Sequence, residues 1–305
     1  MEHIYASGDM AKIYKAIFKS CEEITEMMRF EPVSMTSDTN DFGEQQFNVD
    51  KDTDDIIYKN LKDSGVVYSA CSEESTQPRV LNEDGNYTIT FDPLDGSSIV
   101  EANFAVGSIF GIWPKSELIG VSCREMIGAC LAIYGTKTCA VVYDQEKDQV
   151  DELSYRRVGD EKKWVITDEN IRIAEDAKTF APGNLRVAKE LTGYKNLILW
   201  YIDAGKTLRY SGGVAPDVFH ILNKKEGVFF YPVKERKNAK LRVLYECAPL
   251  AFLVEKAGGI AIDGEIPTLD TIVDSYEIKC PVYLGSKNDV ERIVKFIKEG
   301  ENESA

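Results

Sequence analysis

Thr90-Phe91-Asp92-Pro93-Leu94-Asp95-Gly96-Ser97-Ser98 is the stretch around which the chain is organised. The residues before it, Tyr87 to Phe91, read as a strand, because β-branched and aromatic side chains suit a pleated surface. Pro93 removes one backbone N–H and fixes its own φ, and Gly96 lets the chain fold sharply. The expectation is a turn at a strand end, with the carboxylates of Asp92 and Asp95 and the Leu94 carbonyl aimed into one space. An oxygen-rich set of that kind suits hard divalent cations such as Mg²⁺. Gly96, Ser97 and Ser98 then supply N–H groups and hydroxyls of the sort that hold a phosphate. The same residue types also make ordinary solvated turns, so the remainder of the chain has to decide between the two.

With 305 residues the chain is long enough for a large core and about two domains. Hydrophobic residues make up 44% and charged residues 29%, ordinary for a globular protein. The net charge of −15 repels nucleic acid and anionic membrane, so neither is expected as a partner. A phosphorylated ligand would be repelled too, unless metals and local Lys or Arg reverse the field. The 7 cysteines are scattered without a CxxC pair, which points to free thiols in a reducing compartment. No apolar run approaches a membrane span, and the first residues lack a secretory or transit signature, so the cytosol is expected.

Along the chain, Met10 to Met28 reads as an amphipathic helix and Phe30 to Phe47 as a polar loop. Asp50 to Leu61 looks helical, and Val66 to Ala70 reads as a buried strand that runs into Ser72-Glu73-Glu74. Phe104 to Trp113 is a strand, Arg124 to Tyr134 a helix ended by Gly135, and Thr138 to Tyr143 a strand. A charged segment with two short strands follows, and the domain boundary is placed near its end, giving 1–172 and 173–305. Beyond it, helices at about 184–203, 214–223, 246–257 and 287–299 alternate with strands, an α/β layer arrangement.

Beside Asp92 and Asp95, other acids fall at element ends: Asp50 opens a helix, Glu73 and Glu74 leave a strand, and Glu246 precedes an apolar helix. Singly, each is equally explained as a solvated charge or a helix-start acid. Together they would repel one another severely without cations, and roughly two or three Mg²⁺ would compensate, with Mn²⁺ as the alternative. Candidate phosphate cations are Arg209, beside Tyr210 at a strand end, and Lys240 and Arg242, which alternate along a probable strand. Asn184 and Arg186 follow Pro182-Gly183 at a helix start. The 2 histidines, His3 and His220, leave little room for histidine-based chemistry.

Phe91 to Ser98, Ser72-Glu73-Glu74, Gly107 to Gly111, Arg209-Tyr210 and Lys240 to Glu246 resemble the sugar bisphosphatases. These are the fructose-1,6- and sedoheptulose-1,7-bisphosphatase branches of the Mg²⁺-dependent, lithium-sensitive phosphatase superfamily. The resemblance implies a layered αβαβα sandwich. It implies metal ligation by Glu73, Asp92, the Leu94 carbonyl, Asp95 and Glu246, with Asp50 and Glu74 activating the attacking water. It implies a sugar bisphosphate held by Gly96, Ser97, Ser98, Asn184, Arg186, Arg209, Tyr210, Tyr231, Lys240 and Arg242, and a homodimer or homotetramer in which the Arg209 position reaches the neighbouring site. Glu44 stands where the family pattern has Asp, which leaves its share in metal binding open.

Phe180 to Arg186, Ala70 to Glu74, Leu208 to Gly213 and Gly285 to Asn288 are similar to the sedoheptulose branch. The implied reaction is removal of the 1-phosphate of sedoheptulose 1,7-bisphosphate. Fructose 1,6-bisphosphate is the alternative substrate, and a non-catalytic sugar-phosphate sensor is a more distant alternative.

Overall fold

Helix α1 (Gly8–Phe30) buries Met10, Ile13, Ile17, Cys21 and Ile24 on one stripe, the 3.6-residue periodicity of a surface helix. The structure, a computed structural model, describes residues 7–30, 35–39, 45–75 and 77–304. Glu44 lies outside the described residues. Where the sequence suggested a loop from Phe30 to Phe47, strands β1 (Met35–Thr39) and β2 (Gln45–Phe47) pair antiparallel. Turn-favouring composition conceals a pairing that backbone hydrogen bonds alone can make. Helix α2 (Asn48–Asp63) and strands β3 (Val67–Ser72), β4 (Arg79–Val80) and β5 (Tyr87–Asp95) follow.

After the short helix α3 (Ser97–Val100), a meander runs through β6 (Val106–Trp113), β7 (Gly128–Tyr134), β8 (Thr138–Asp144), β9 (Gln149–Val158) and β10 (Glu161–Asp168). Together these strands make an eight-stranded sheet in the order β10-β9-β8-β7-β6-β5-β3-β4. The helix expected over Arg124 to Tyr134 is therefore wrong: β7 occupies its second half. Every β7 residue is buried, with α1 on one face and a helical layer on the other, so no polar alternation marks it as a strand.

The remaining elements are β11 (Thr179–Pro182), α4 (Thr192–Asp203), β12 (Thr207–Leu208), α5 (Val214–Lys224), β13 (Val228–Tyr231), α6 (Ala248–Lys256), β14 (Ile260–Ile262), β15 (Val282–Gly285) and α7 (Lys287–Ser304). Their strands form a second sheet in the order β12-β11-β13-β15-β14. The helix expected from residue 184 begins only at Thr192, after a 3₁₀ turn over Leu185–Lys189. Lys240 to Arg242 is not a strand either. Arg242 makes a lone bridge to Lys279 and then opens a π-helical turn, Val243–Cys247, that leads into α6.

The layers follow from the packing: α1 and α2, the large sheet, α5 and α6, the small sheet, then α4 and α7. This is the αβαβα sandwich expected. Three apolar cores fill the spaces, with Phe91 and Phe110 under α1 and α2, Leu250 and Val254 of α6 between the sheets, and Tyr201 and Phe230 under α7.

One irregularity places the chemistry. Opposite β6, Asp92 faces Ile109 and Asp95 faces Gly107, so β5 carries an extra residue at Pro93-Leu94. The stretch read as a terminal turn is a β-bulge inside a continuing strand, and a bulge re-aims side chains at a sheet's working edge.

Candidate active site

β3 and β5 run parallel with Ser72 opposite Phe91, so both present their carboxyl ends at one edge. The Glu73 N–H donates to the Phe91 carbonyl at 2.9 Å, which sets Glu73 beside Asp92. Asp92 Oδ1 accepts the Leu94 N–H at 3.0 Å within the bulge. Asp95 Oδ2 accepts the Ala215 N–H at 2.7 Å, at the amino end of α5, where unpaired N–H groups and the helix dipole favour an anion. This contact needs glycine at two places. A Cβ on Gly213 would come within 2.9 Å of Asp95 Oδ2, and one on Gly107 within 2.8 Å of the Ala215 Cβ. Glu246 sits in the π-helical turn and its Oε2 accepts the Arg242 N–H at 2.5 Å. The outcome is that carboxylate oxygens of Asp92, Asp95 and Glu246 lie within 4.8 Å of one another.

The electrostatics reflect that crowding. Burial pushes Asp92 well above the usual carboxylate range, and the charges of Glu73, Asp95, Glu246 and Glu74 push it the same way. Glu246 is driven up by burial, then by Glu73 and Asp95, against the opposing Arg242. Burial takes Asp95 up to about 6, opposed by the N–H groups of Ala215 and Val214. The Arg242 side chain, 4% exposed, bonds Glu73. The residue expected to meet a phosphate is thus turned to the carboxylates as their counterion. Buried carboxylates that raise one another's proton affinity while offering only oxygen donors fit a hard divalent cation.

Asp50 lies buried in the first turn of α2. Four residues on, on the same face, Asp54 is buried and pushed up to about 6 by that burial, while a bond to the Ser72 side chain and the nearby Arg79 oppose the rise. Asp54 was not anticipated from the sequence, although its spacing from Asp50 was the available signal. Ser97 and Ser98 lie in α3 beyond Gly96, whose φ of 90° only glycine adopts freely.

Arg186, Tyr210 and Tyr231 lie within electrostatic reach of one another. Burial raises the hydroxyl pKa of both tyrosines and Arg186 opposes the rise in both; Asp95 adds to it at Tyr210 and Glu246 at Tyr231. Asn184, at φ 50°, holds the Pro232 carbonyl through Nδ2 at 2.9 Å. Lys240 and Arg209 are exposed, and Arg209 Nη1 turns back to the Leu208 carbonyl at 2.9 Å.

Asp217 was also missed, being one acid in the first turn of a helix. It is buried, accepts the Ser211 N–H at 2.8 Å, and is pushed by burial up to about 7 with Asp95 adding to the rise. An acid raised in the folded state binds its proton more tightly there. Its contribution to stability is therefore full below about pH 4 and lost as pH rises through about 7. Asp217→Asn should flatten the metal-free stability profile across that window, removing a slope of at most about 1.4 kcal/mol per pH unit. Urea titrations of both proteins across the window check this, and identical slopes would refute it.

Residues 1–169 match the family model described as fructose-1-6-bisphosphatase, N-terminal domain, and residues 173–298 match the one described as fructose-1-6-bisphosphatase, C-terminal domain. The chain belongs to the fructose-1,6-bisphosphatase family, metal-dependent hydrolases, and is a sugar bisphosphatase by class. A chloroplastic sedoheptulose-1,7-bisphosphatase of Triticum aestivum is 39% identical over 259 residues, covering 84% of this chain and 65% of the wheat protein. A class 1 fructose-1,6-bisphosphatase of Pelobacter propionicus is 35% identical over 294 residues, 95% of this chain and 89% of the bacterial one. Among solved structures, a Toxoplasma gondii protein assigned as a sedoheptulose-1,7 bisphosphatase superposes with a TM-score of 0.89 at 29% identity, covering 96% of this chain and 95% of that one. Both substrate branches are thus represented at comparable identity. No helix among the described residues is long and apolar enough to cross a membrane.

Proposed function

We propose that the chain hydrolyses the 1-phosphate of sedoheptulose 1,7-bisphosphate, with fructose 1,6-bisphosphate as a second substrate. The observation that carries the reading is the carboxylate cluster of Asp92, Asp95 and Glu246, whose oxygens lie within 4.8 Å of one another, with Arg186 in electrostatic reach of Tyr210 and Tyr231. It supports a ligand with one phosphate at the carboxylates and a second at a guanidinium. In this reading residues 1–172 supply most of the metal ligands and residues 173–305 the sugar-phosphate contacts.

Glu73, Asp92, the Leu94 carbonyl, Asp95 and Glu246 are suited to hold Mg²⁺, which when bound neutralises phosphate charge and acidifies water. Asp50 and Glu74 take the proton of the attacking water. As the water oxygen bonds to phosphorus, the bond to the sugar oxygen breaks, and that oxygen takes up a proton from solvent while Asp50 and Glu74 return theirs to solvent, so the protons balance. Gly96, Ser97 and Ser98 orient the reacting phosphate by hydrogen bonds, and Asn184, Arg186, Tyr210, Tyr231 and Lys240 orient the distal one. Arg242 holds Glu73 and Glu246 in register. The exposed Arg209 is assigned to the neighbouring subunit's site, which makes the active unit at least a dimer. A cytosolic setting without nucleic-acid or membrane partners accords with the charge of −15.

Phosphate release with Mg²⁺ from the two bisphosphates and from inositol monophosphate tests the reading. Preference for the seven-carbon substrate is expected, and release from neither bisphosphate would refute it. Arg186→Ala should weaken that substrate by a charge-assisted hydrogen bond, about 1.5–3 kcal/mol, or roughly 10- to 150-fold in KM. Small and equal effects on both bisphosphates would place discrimination elsewhere.

A further inference from the structure

The bulge at Pro93-Leu94 raises an accounting question, because a residue displaced from the ladder leaves its backbone groups without their usual partners. Ser108, opposite the bulge on β6, answers it: its Oγ lies 2.7 Å from the Pro93 carbonyl oxygen. The same Oγ lies 2.8 Å from the Tyr134 hydroxyl on β7. Proton counting fixes the direction. A carbonyl can only accept, so the single serine proton goes to Pro93. The Tyr134 proton must then go to Ser108. A one-way chain therefore runs from Tyr134 through Ser108 to the Pro93 carbonyl, between Asp92 and Leu94. Ser108 is 0% exposed and Tyr134 6%, so water does not compete for these bonds.

We propose that Ser108 and Tyr134 are positioning residues for the metal-binding turn. The hydrogen bonds of Ser108 go to the Pro93 carbonyl and to Tyr134 and not to a carboxylate. They hold the bulge that aims Asp92, the Leu94 carbonyl and Asp95, so their effect is on how well that set grips a divalent cation. The inference rests on the divalent-cation reading of the site.

The test is Mn²⁺ binding to the full chain, followed by electron paramagnetic resonance and independent of turnover. Ser108→Ala leaves the Pro93 carbonyl and the Tyr134 hydroxyl without their partner and should weaken Mn²⁺ by about tenfold or more. Ser108→Thr, which keeps the hydroxyl, should restore binding. Tyr134→Phe removes a single oxygen and should weaken Mn²⁺ by a few-fold, with the Mg²⁺ requirement for activity rising in parallel. A merely structural pair would lower the melting temperature and leave the Mn²⁺ affinity of the folded protein unchanged, and that result overturns the proposal. If Ser108→Ala does not fold, the milder Tyr134→Phe decides by the same criterion. Wild-type protein that binds no Mn²⁺ overturns the metal reading and this inference with it. Wild-type binding that both variants match overturns this inference alone.

Discussion

Asp95→Asn should lower phosphate release by more than about 10³-fold, the scale of a lost transition-state electrostatic contact, with little change in melting temperature. Asparagine is nearly isosteric, and its side-chain oxygen can still accept the Ala215 N–H that Asp95 Oδ2 accepts at 2.7 Å. What disappears is a negative charge from a set whose oxygens lie within 4.8 Å of each other. In the metal-free protein that loss relieves repulsion, since Asp95 raises the proton affinity of both Asp92 and Glu246. Folding should therefore be unharmed while cation binding and turnover fail together. Initial rates at saturating Mg²⁺ alongside thermal melts check this, and near-normal turnover by the variant would sink the assignment of Asp95 as a ligand.

Arg242→Ala should act in the opposite way, on stability first. The Arg242 guanidinium is the buried cation bonded to Glu73, while its backbone N–H holds Glu246. Truncation keeps the backbone bond and deletes the positive charge that opposes the rise in Glu246. Breaking a buried ion pair by removing one partner costs about 3–5 kcal/mol, because the other charge stays behind uncompensated. Without metal the variant should be destabilised by about that much near neutral pH. Adding Mg²⁺ should recover a large part, since the ion substitutes for the missing cation and ligand binding stabilises the folded state. The measurement is the melting shift on adding Mg²⁺ or a chelator to both proteins. Equal shifts would show that Arg242 is not the counterion of this cluster.

Much of the site could be read from residue types. Two acids flanking Pro93-Leu94, and acids at the ends of β3 and before α6, require no tertiary knowledge to notice. Their convergence does, because it depends on β3 and β5 running in parallel and on α5 presenting its amino end to Asp95. Arg242 was read as facing substrate because a strand alternates its side chains, but the segment turns into a π-helical loop and the alternation never applies. Asp54 and Asp217 escaped notice for a related reason. A buried acid on a helix looks like a solvated one until the facing layer is known. β7 shows the limit for the fold: a strand covered on both faces has the same apolar run as a buried helix.

The bond between Asp95 and Ala215 joins the end of β5, in the large sheet, to the start of α5, in the layer beneath it. Glu246 likewise enters from the turn ahead of α6. The two halves are consequently not interchangeable modules. A swap of either half between relatives must carry along Gly107 and Gly213, which permit the approach, or the carboxylate set is pulled apart at the seam.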